Sequence, residues 1–111
     1  MRTYTLAIYE KAVPNELSFR EKLTAAGEAG FDALEISVDE SDWRLARLDW
    51  TKQQRAELLA ATRDTGVYIN SMCLSGHRKY PLGSSDPDAV RRGLGIMEKA
   101  VELSYDLGVR I

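Results

Sequence analysis

Apolar and polar positions alternate in three successive rounds, each with a two-residue period that gives way to a three-to-four-residue one. Residues 4–9 read as a first strand, with Tyr4, Leu6 and Ile8 on one face and Thr5, Ala7 and Tyr9 on the other. After a loop holding Pro14, Ser18 opens a helix. Ser18-x-x-Glu21 has capping-box spacing, Phe19, Leu23 and Ala26 form an apolar stripe, and Gly30 ends the helix. Residues 33–38 form a second strand, followed by a polar loop over 39–49. Thr51-x-x-Gln54 opens a second helix, with Leu58, Leu59 and Thr62 marking one face and Gly66 closing it. The third strand covers 67–74. Asp86-Pro87-Asp88 supplies an N-cap, a proline at the first helical position and an acid at the positive helix end. In that third helix Val90, Leu94, Met97 and Val101 are the expected buried stripe. Gly93 and Gly95 weaken it by roughly 1 kcal/mol each against alanine where exposed. Gly108 ends the helix, and Val109-Arg110-Ile111 reads as the start of a fourth strand.

The helix-ending glycines Gly30, Gly66 and Gly108 fall 36 and 42 residues apart, each followed by an apolar residue and a strand. That is a βα repeat, so the fold class is α/β with a parallel sheet. Right-handed crossovers allow an open doubly wound sheet or a (β/α)8 barrel. The barrel is favoured, because no Gly-rich dinucleotide turn follows the first strand and Thr5, Glu35, Ser37 and Asn70 punctuate the strands. Three units and a strand start cannot close a barrel, which needs eight. Residues 1–111 are therefore expected to be the incomplete N-terminal part of one TIM-barrel domain.

Composition narrows the partners. Fifteen basic residues are spread among 17 acidic ones, for a net charge of −2, so a phosphate-backbone footprint is missing and nucleic acid is not expected. The lone Cys73 excludes an internal disulfide and a Cys-based zinc cluster, and within its strand it reads as a buried small hydrophobe. No signal peptide and no membrane-length apolar run is evident, so a cytoplasmic chain without a membrane partner is expected.

The passage Ala29-Gly30-Phe31-Asp32-Ala33-Leu34-Glu35-Ile36-Ser37-Val38-Asp39-Glu40 resembles the helix-one to strand-two segment of xylose-isomerase-like TIM barrels. Trp43-Arg44-Leu45-Ala46-Arg47-Leu48-Asp49-Trp50 and the stretch 71–84 narrow the resemblance to the epimerases of L-ribulose 5-phosphate and L-xylulose 5-phosphate. The run His77-Arg78-Lys79-Tyr80-Pro81-Leu82-Gly83-Ser84 is its most selective part. The resemblance covers the whole chain and under half of such an enzyme. It implies an isomerase that exchanges the C3 proton through an enediolate, assisted by a divalent metal ion (Mn, Mg or Zn). In that family the metal ligands and both catalytic carboxylates lie on later strands, so no catalytic or metal-ligating residue is assigned here. The fragment alone is expected to be inactive, and the complete enzyme to be a homo-oligomer acting on a small phosphosugar. The alternatives are another barrel enzyme of this kind (a polyol dehydratase or an AP-endonuclease-like repair enzyme) and a non-catalytic remnant.

The substrate-binding candidates follow from position at the C-terminal ends of the strands. His77 can donate to a sugar hydroxyl or phosphate, or pack on Tyr80 or cap the next helix. Arg78 suits a bidentate grip on phosphate, whereas Lys79 is expected to be solvated. Ser75 and Gly76 permit close approach of a ligand, while Ser84 and Ser85 read as caps. Glu35 and Ser37 share a strand face, Glu35 holding substrate or neighbouring side chains; Asp39 and Glu40 follow in the loop. Tyr9 can wall the pocket, with Glu10 and Lys11 at the same rim. Trp43 and Trp50 can cover the site, meet a subunit neighbour, or pack in the core.

Overall fold

The computed structural model describes residues 2–111. Three parallel strands, β1 (Ala7–Tyr9), β2 (Ala33–Ser37) and β3 (Tyr68–Cys73), pair in the order β1-β2-β3. They alternate with α1 (Phe19–Glu28), the short α2 (Asp42–Leu45), α3 (Lys52–Thr65) and α4 (Pro87–Leu107). These are three βα units in an open parallel sheet, with the helices over one face.

Local chemistry accounts for most of the boundaries. Both capping boxes form: Ser18 Oγ accepts from Glu21 N–H while Glu21 accepts from Ser18 N–H, and Thr51 and Gln54 do the same. Asp86 caps α4, with Pro87 at the first helical position. Gly66 and Gly108 close their helices at φ of +73° and +72°, a region that strains any residue with a Cβ. Val109-Arg110-Ile111 does run beside β3, since the Ile111 carbonyl accepts from Met72 N–H at 2.8 Å.

Three expectations need correction. β1 begins at Ala7, not residue 4, because its partner β2 begins at Ala33 and the register pairs those two residues. Ahead of it, Leu6 is tied to Asp32 instead: its N–H donates to the Asp32 carboxylate and its carbonyl accepts from Asp32 N–H, both at 2.8 Å. The segment 39–49 is not simply loop, since it holds α2 and a 3₁₀ turn over Ala46–Asp49.

The third correction concerns α4. The buried residues are Gly93, Ile96, Ala100, Leu103 and Leu107, whereas Leu94, Met97 and Val101 are 52%, 39% and 62% exposed. Two apolar stripes lie side by side on this helix, and the one carrying small residues can come closest. A Cβ on Gly93 would stand 2.5 Å from the Tyr80 carbonyl oxygen, so Gly93 is a contact point rather than an exposed weakness. The core is the layer between helices and sheet: Leu23, Ala26, Leu34, Ile36, Val38, Leu58, Ala61, Ile69, Ile96 and Leu103. No described helix is long and apolar enough to cross a membrane.

Candidate substrate-binding rim

Alternation on β2 sends Leu34 and Ile36 into the helix-facing core and Glu35 and Ser37 to the opposite face. The register carries this face across the sheet, pairing Tyr9 with Glu35, Glu35 with Ser71, and Ser37 with Cys73. Tyr9 donates its phenolic hydrogen to Ser37 Oγ at 3.2 Å, and Ser71 donates to a Glu35 carboxylate oxygen at 2.7 Å. The expected placement of Glu35 and Ser37 on one face of β2 therefore holds, with Tyr9 beside them at the rim, and Glu35 holds a neighbouring side chain. Cys73 is half-buried on this face, not sealed in the core as its strand position suggested.

Beneath Ser37 lies a set of buried charges that the strand-and-loop reading did not single out. Glu10 (0% exposed) receives Lys22 Nζ at 2.9 Å and Arg47 Nη1 and Nη2 at 2.7 and 2.6 Å. Its carboxylate also accepts from the backbone N–H of Ser37 at 2.8 Å, while Arg47 Nη1 donates to the Ser37 carbonyl at 2.7 Å. Burial pushes the Glu10 carboxyl up. The bonds from Arg47, Ser37 and Lys22 outweigh that, and its pKa falls below the ordinary value, keeping it ionised. Arg47 sits among Phe19, Trp43 and Trp50, its guanidinium carbon 4.8, 5.2 and 5.8 Å from their ring centres. Trp50 thus packs inward, edge-on to Phe19, while Trp43 is half exposed and stacks on Arg44.

A second ion cluster adjoins the first. Asp39 accepts from Ser41 N–H and hydroxyl, from Arg44 at 3.1 Å and from Lys11 at 2.8 Å. Burial raises the Asp39 carboxyl, but these donors hold it well below the usual carboxylate range and raise the Lys11 ammonium in turn. Asp39 is therefore an occupied structural anion rather than a solvated loop acid. Arg44 also reaches Asn15, and its Nε is buried without a partner. Together, Glu10 and Asp39 face the four cations Lys11, Lys22, Arg44 and Arg47.

The loop after β3 is a 3₁₀ turn over Ser75–Arg78. Gly76 N–H donates to the Val38 carbonyl at 3.0 Å, which locks this turn against the end of β2. Ser75 Oγ is buried without a hydrogen-bond partner, as is one Glu40 oxygen. His77 turns toward α4: its Nε2–H donates to the Gly93 carbonyl at 3.0 Å, which leaves Nδ1 as the open ring nitrogen. Its hydrogen bond therefore runs to α4, not to Tyr9 or Ser37. Arg78 is exposed and makes no ion pair among the described residues, while Lys79 and Arg92 lie over the Tyr80 ring. Ser84 accepts from Asp86 N–H, the expected cap-side role. Among the described residues no three His, Cys, Asp or Glu side chains are grouped to hold a metal ion.

The buried cations had one sequence signal. Lys22 falls within the apolar stripe of α1, between Phe19, Leu23 and Ala26. A lysine on a core-facing stripe needs a carboxylate.

A parallel sheet with helices on one face and polar groups gathered at the C-terminal strand ends is the arrangement of consecutive βα units in a TIM barrel. The chain is a member of the xylose isomerase-like TIM barrel family, whose model matches residues 23–111. It is 54% identical over 107 residues to the L-ribulose-5-phosphate 3-epimerase UlaE of Salmonella heidelberg (strain SL476), covering 96% of this chain and 37% of that protein. It is 53% identical over 110 residues to the putative L-ribulose-5-phosphate 3-epimerase SgbU of Escherichia coli (strain K12), covering 99% of this chain and 38% of that one. The chain thus spans little more than a third of the length of these relatives. A crystal structure of D-psicose 3-epimerase in the presence of D-fructose superposes with a TM-score of 0.74 and 15% identity, over 96% of this chain and 35% of that one, a likeness of fold.

Proposed function

We propose that this chain is the N-terminal part of a ketopentose-phosphate 3-epimerase, residues 1–111 forming the first three βα units of its barrel. The observation that carries this is the 54% identity to an L-ribulose-5-phosphate 3-epimerase across nearly the whole chain, joined to a rim of polar side chains at the strand ends. The residues of this chain bind and orient: Tyr9 and Glu35 meet the sugar hydroxyls, Ser37 and Ser75, whose hydroxyls are buried, lie behind them, and Arg78 favours the phosphate. His77 contributes through Nδ1. Proton exchange at C3 and the divalent ion fall to residues outside this chain. The exposed flank of α4 supports the same reading. Arg55–Asp106 and Lys99–Asp49 tie the other flank to α3 and the turn before it, so Leu94, Met97 and Val101 face where a next βα unit would add.

The test is epimerisation of L-ribulose 5-phosphate with Mn²⁺ or Mg²⁺, on this chain and on the full-length gene product carrying it. Turnover by the full-length protein alone supports the proposal. Turnover by neither sinks it in favour of a lyase or a remnant, and turnover by the 111 residues alone overturns the division of labour.

A further inference from the structure

Ser37 is the last residue of the central strand, and no strand supplies its outer hydrogen bonds. β1 pairs with β2 only as far as Tyr9–Glu35, after which the chain turns into the 3₁₀ segment Glu10–Ala12. β3 pairs the other edge, and on the β1 edge side chains in place of a ladder hold both the Ser37 N–H and its carbonyl. Glu10 accepts its N–H at 2.8 Å and Arg47 donates to its carbonyl at 2.7 Å. Glu10 and Arg47 are themselves joined through two bonds, and Lys22 holds the remaining side of the carboxylate. All three are at most 4% exposed, so water does not loosen the grip. Ser37 Oγ in turn receives the Tyr9 phenol.

We propose that Arg47, braced by Glu10 and Lys22, is a positioning residue that sets the Ser37 hydroxyl and, through it, the Tyr9 phenol for substrate. The substrate part rests on the reading of the chain as part of a sugar-phosphate epimerase; the positioning part does not. Arg47 and Ser37 are 4% and 0% exposed, so neither reaches a ligand itself; Arg47 acts through Ser37 on the half-buried Tyr9. Lysine at 47 keeps the charge but loses the fork that joins the Glu10 carboxylate and the Ser37 carbonyl at once.

The experiment is a double-mutant cycle of Arg47→Lys with Ser37→Ala in the full-length protein. Arg47→Lys is expected to raise KM for L-ribulose 5-phosphate about tenfold with little change in kcat, and to raise it less than about twofold once Ser37 is alanine. Its loss of thermal stability should be alike in both backgrounds. An equal KM penalty in both backgrounds overturns the proposal and makes Arg47 purely structural. A second readout needs no turnover: the Tyr9 Cζ resonance, assigned through Tyr9→Phe, should move in Arg47→Lys as it does in Ser37→Ala. A Tyr9 resonance that moves in Ser37→Ala and stays fixed in Arg47→Lys also overturns it. Should the wild type neither bind nor convert the pentulose phosphate, the substrate reading fails while the resonance still judges the positioning.

Discussion

Replacing Glu10 by glutamine removes one charge and almost no volume, which makes it the sharpest probe of the buried cluster. The native carboxylate takes four bonds, from Lys22, the Ser37 N–H and both terminal nitrogens of Arg47, between 2.6 and 2.9 Å. A glutamine presents one acceptor oxygen and one NH₂, so at least one donor meets another donor. Lys22 and Arg47, 2% and 4% exposed, are then left as two buried cations with no counter-ion. Breaking a buried ion pair in this way costs about 3–5 kcal/mol. For a chain of this size that lowers Tm by more than about 10 °C. The assay is urea unfolding followed by far-UV circular dichroism, with the thermal midpoint beside it. Adding Lys22→Met to Glu10→Gln withdraws one unmatched charge and should return at least about 1 kcal/mol. A loss below about 1 kcal/mol for Glu10→Gln, or a further loss on adding Lys22→Met, would refute the reasoning.

Acid should unfold the protein through the same carboxylates: the folded pKa values of Glu10 and Asp39 lie below their ordinary 4.5 and 3.8, so the unfolded chain takes up protons first. Their stabilisation is complete above about pH 5 and lost as pH falls through the folded values, so the urea midpoint should drop steadily from about pH 5 to 3, and a flat profile there contradicts the assignment. Gly93→Ala should destabilise by about 1–3 kcal/mol, because the new methyl meets the Tyr80 carbonyl at 2.5 Å, whereas Gly95→Ala, with nothing within 4 Å, should stabilise by up to about 1 kcal/mol. Equal shifts in calorimetry would deny the close approach of α4 to residue 80. Arg78→Ala in the full-length protein should raise KM for the phosphosugar more than for its dephosphorylated analogue; equal losses would take the phosphate away from Arg78.

Local chemistry was legible because it is local. Ser18–Glu21, Thr51–Gln54, Asp86-Pro87 and the left-handed Gly66 and Gly108 each act within one turn of backbone, so their residues sit together in the chain as they do in space. The strand alternation likewise placed Glu35 and Ser37 on one face, since the side-chain period of a strand is two whatever its neighbours. Strand length was not so determined. Tyr4 and Leu6 alternate as well as Ala7 and Tyr9 do, but β1 can pair only where β2 offers a partner, from Ala33 onward.

The sequence by itself settled the βα order, the caps and the side of β2 that faces away from the helices. Tertiary structure alone decided which stripe of α4 is buried: periodicity offers both, and the buried one carries Gly93, which lets the helix approach the Tyr80 carbonyl. It also decided the meeting of Glu10 with Lys22 and Arg47, 12 and 37 residues away. Charges scattered along the chain become a buried clamp only when the turn after β1, α1 and the turn after α2 close on one point, because electrostatic pairing depends on distance in space and on the exclusion of water, and neither is a property of sequence spacing.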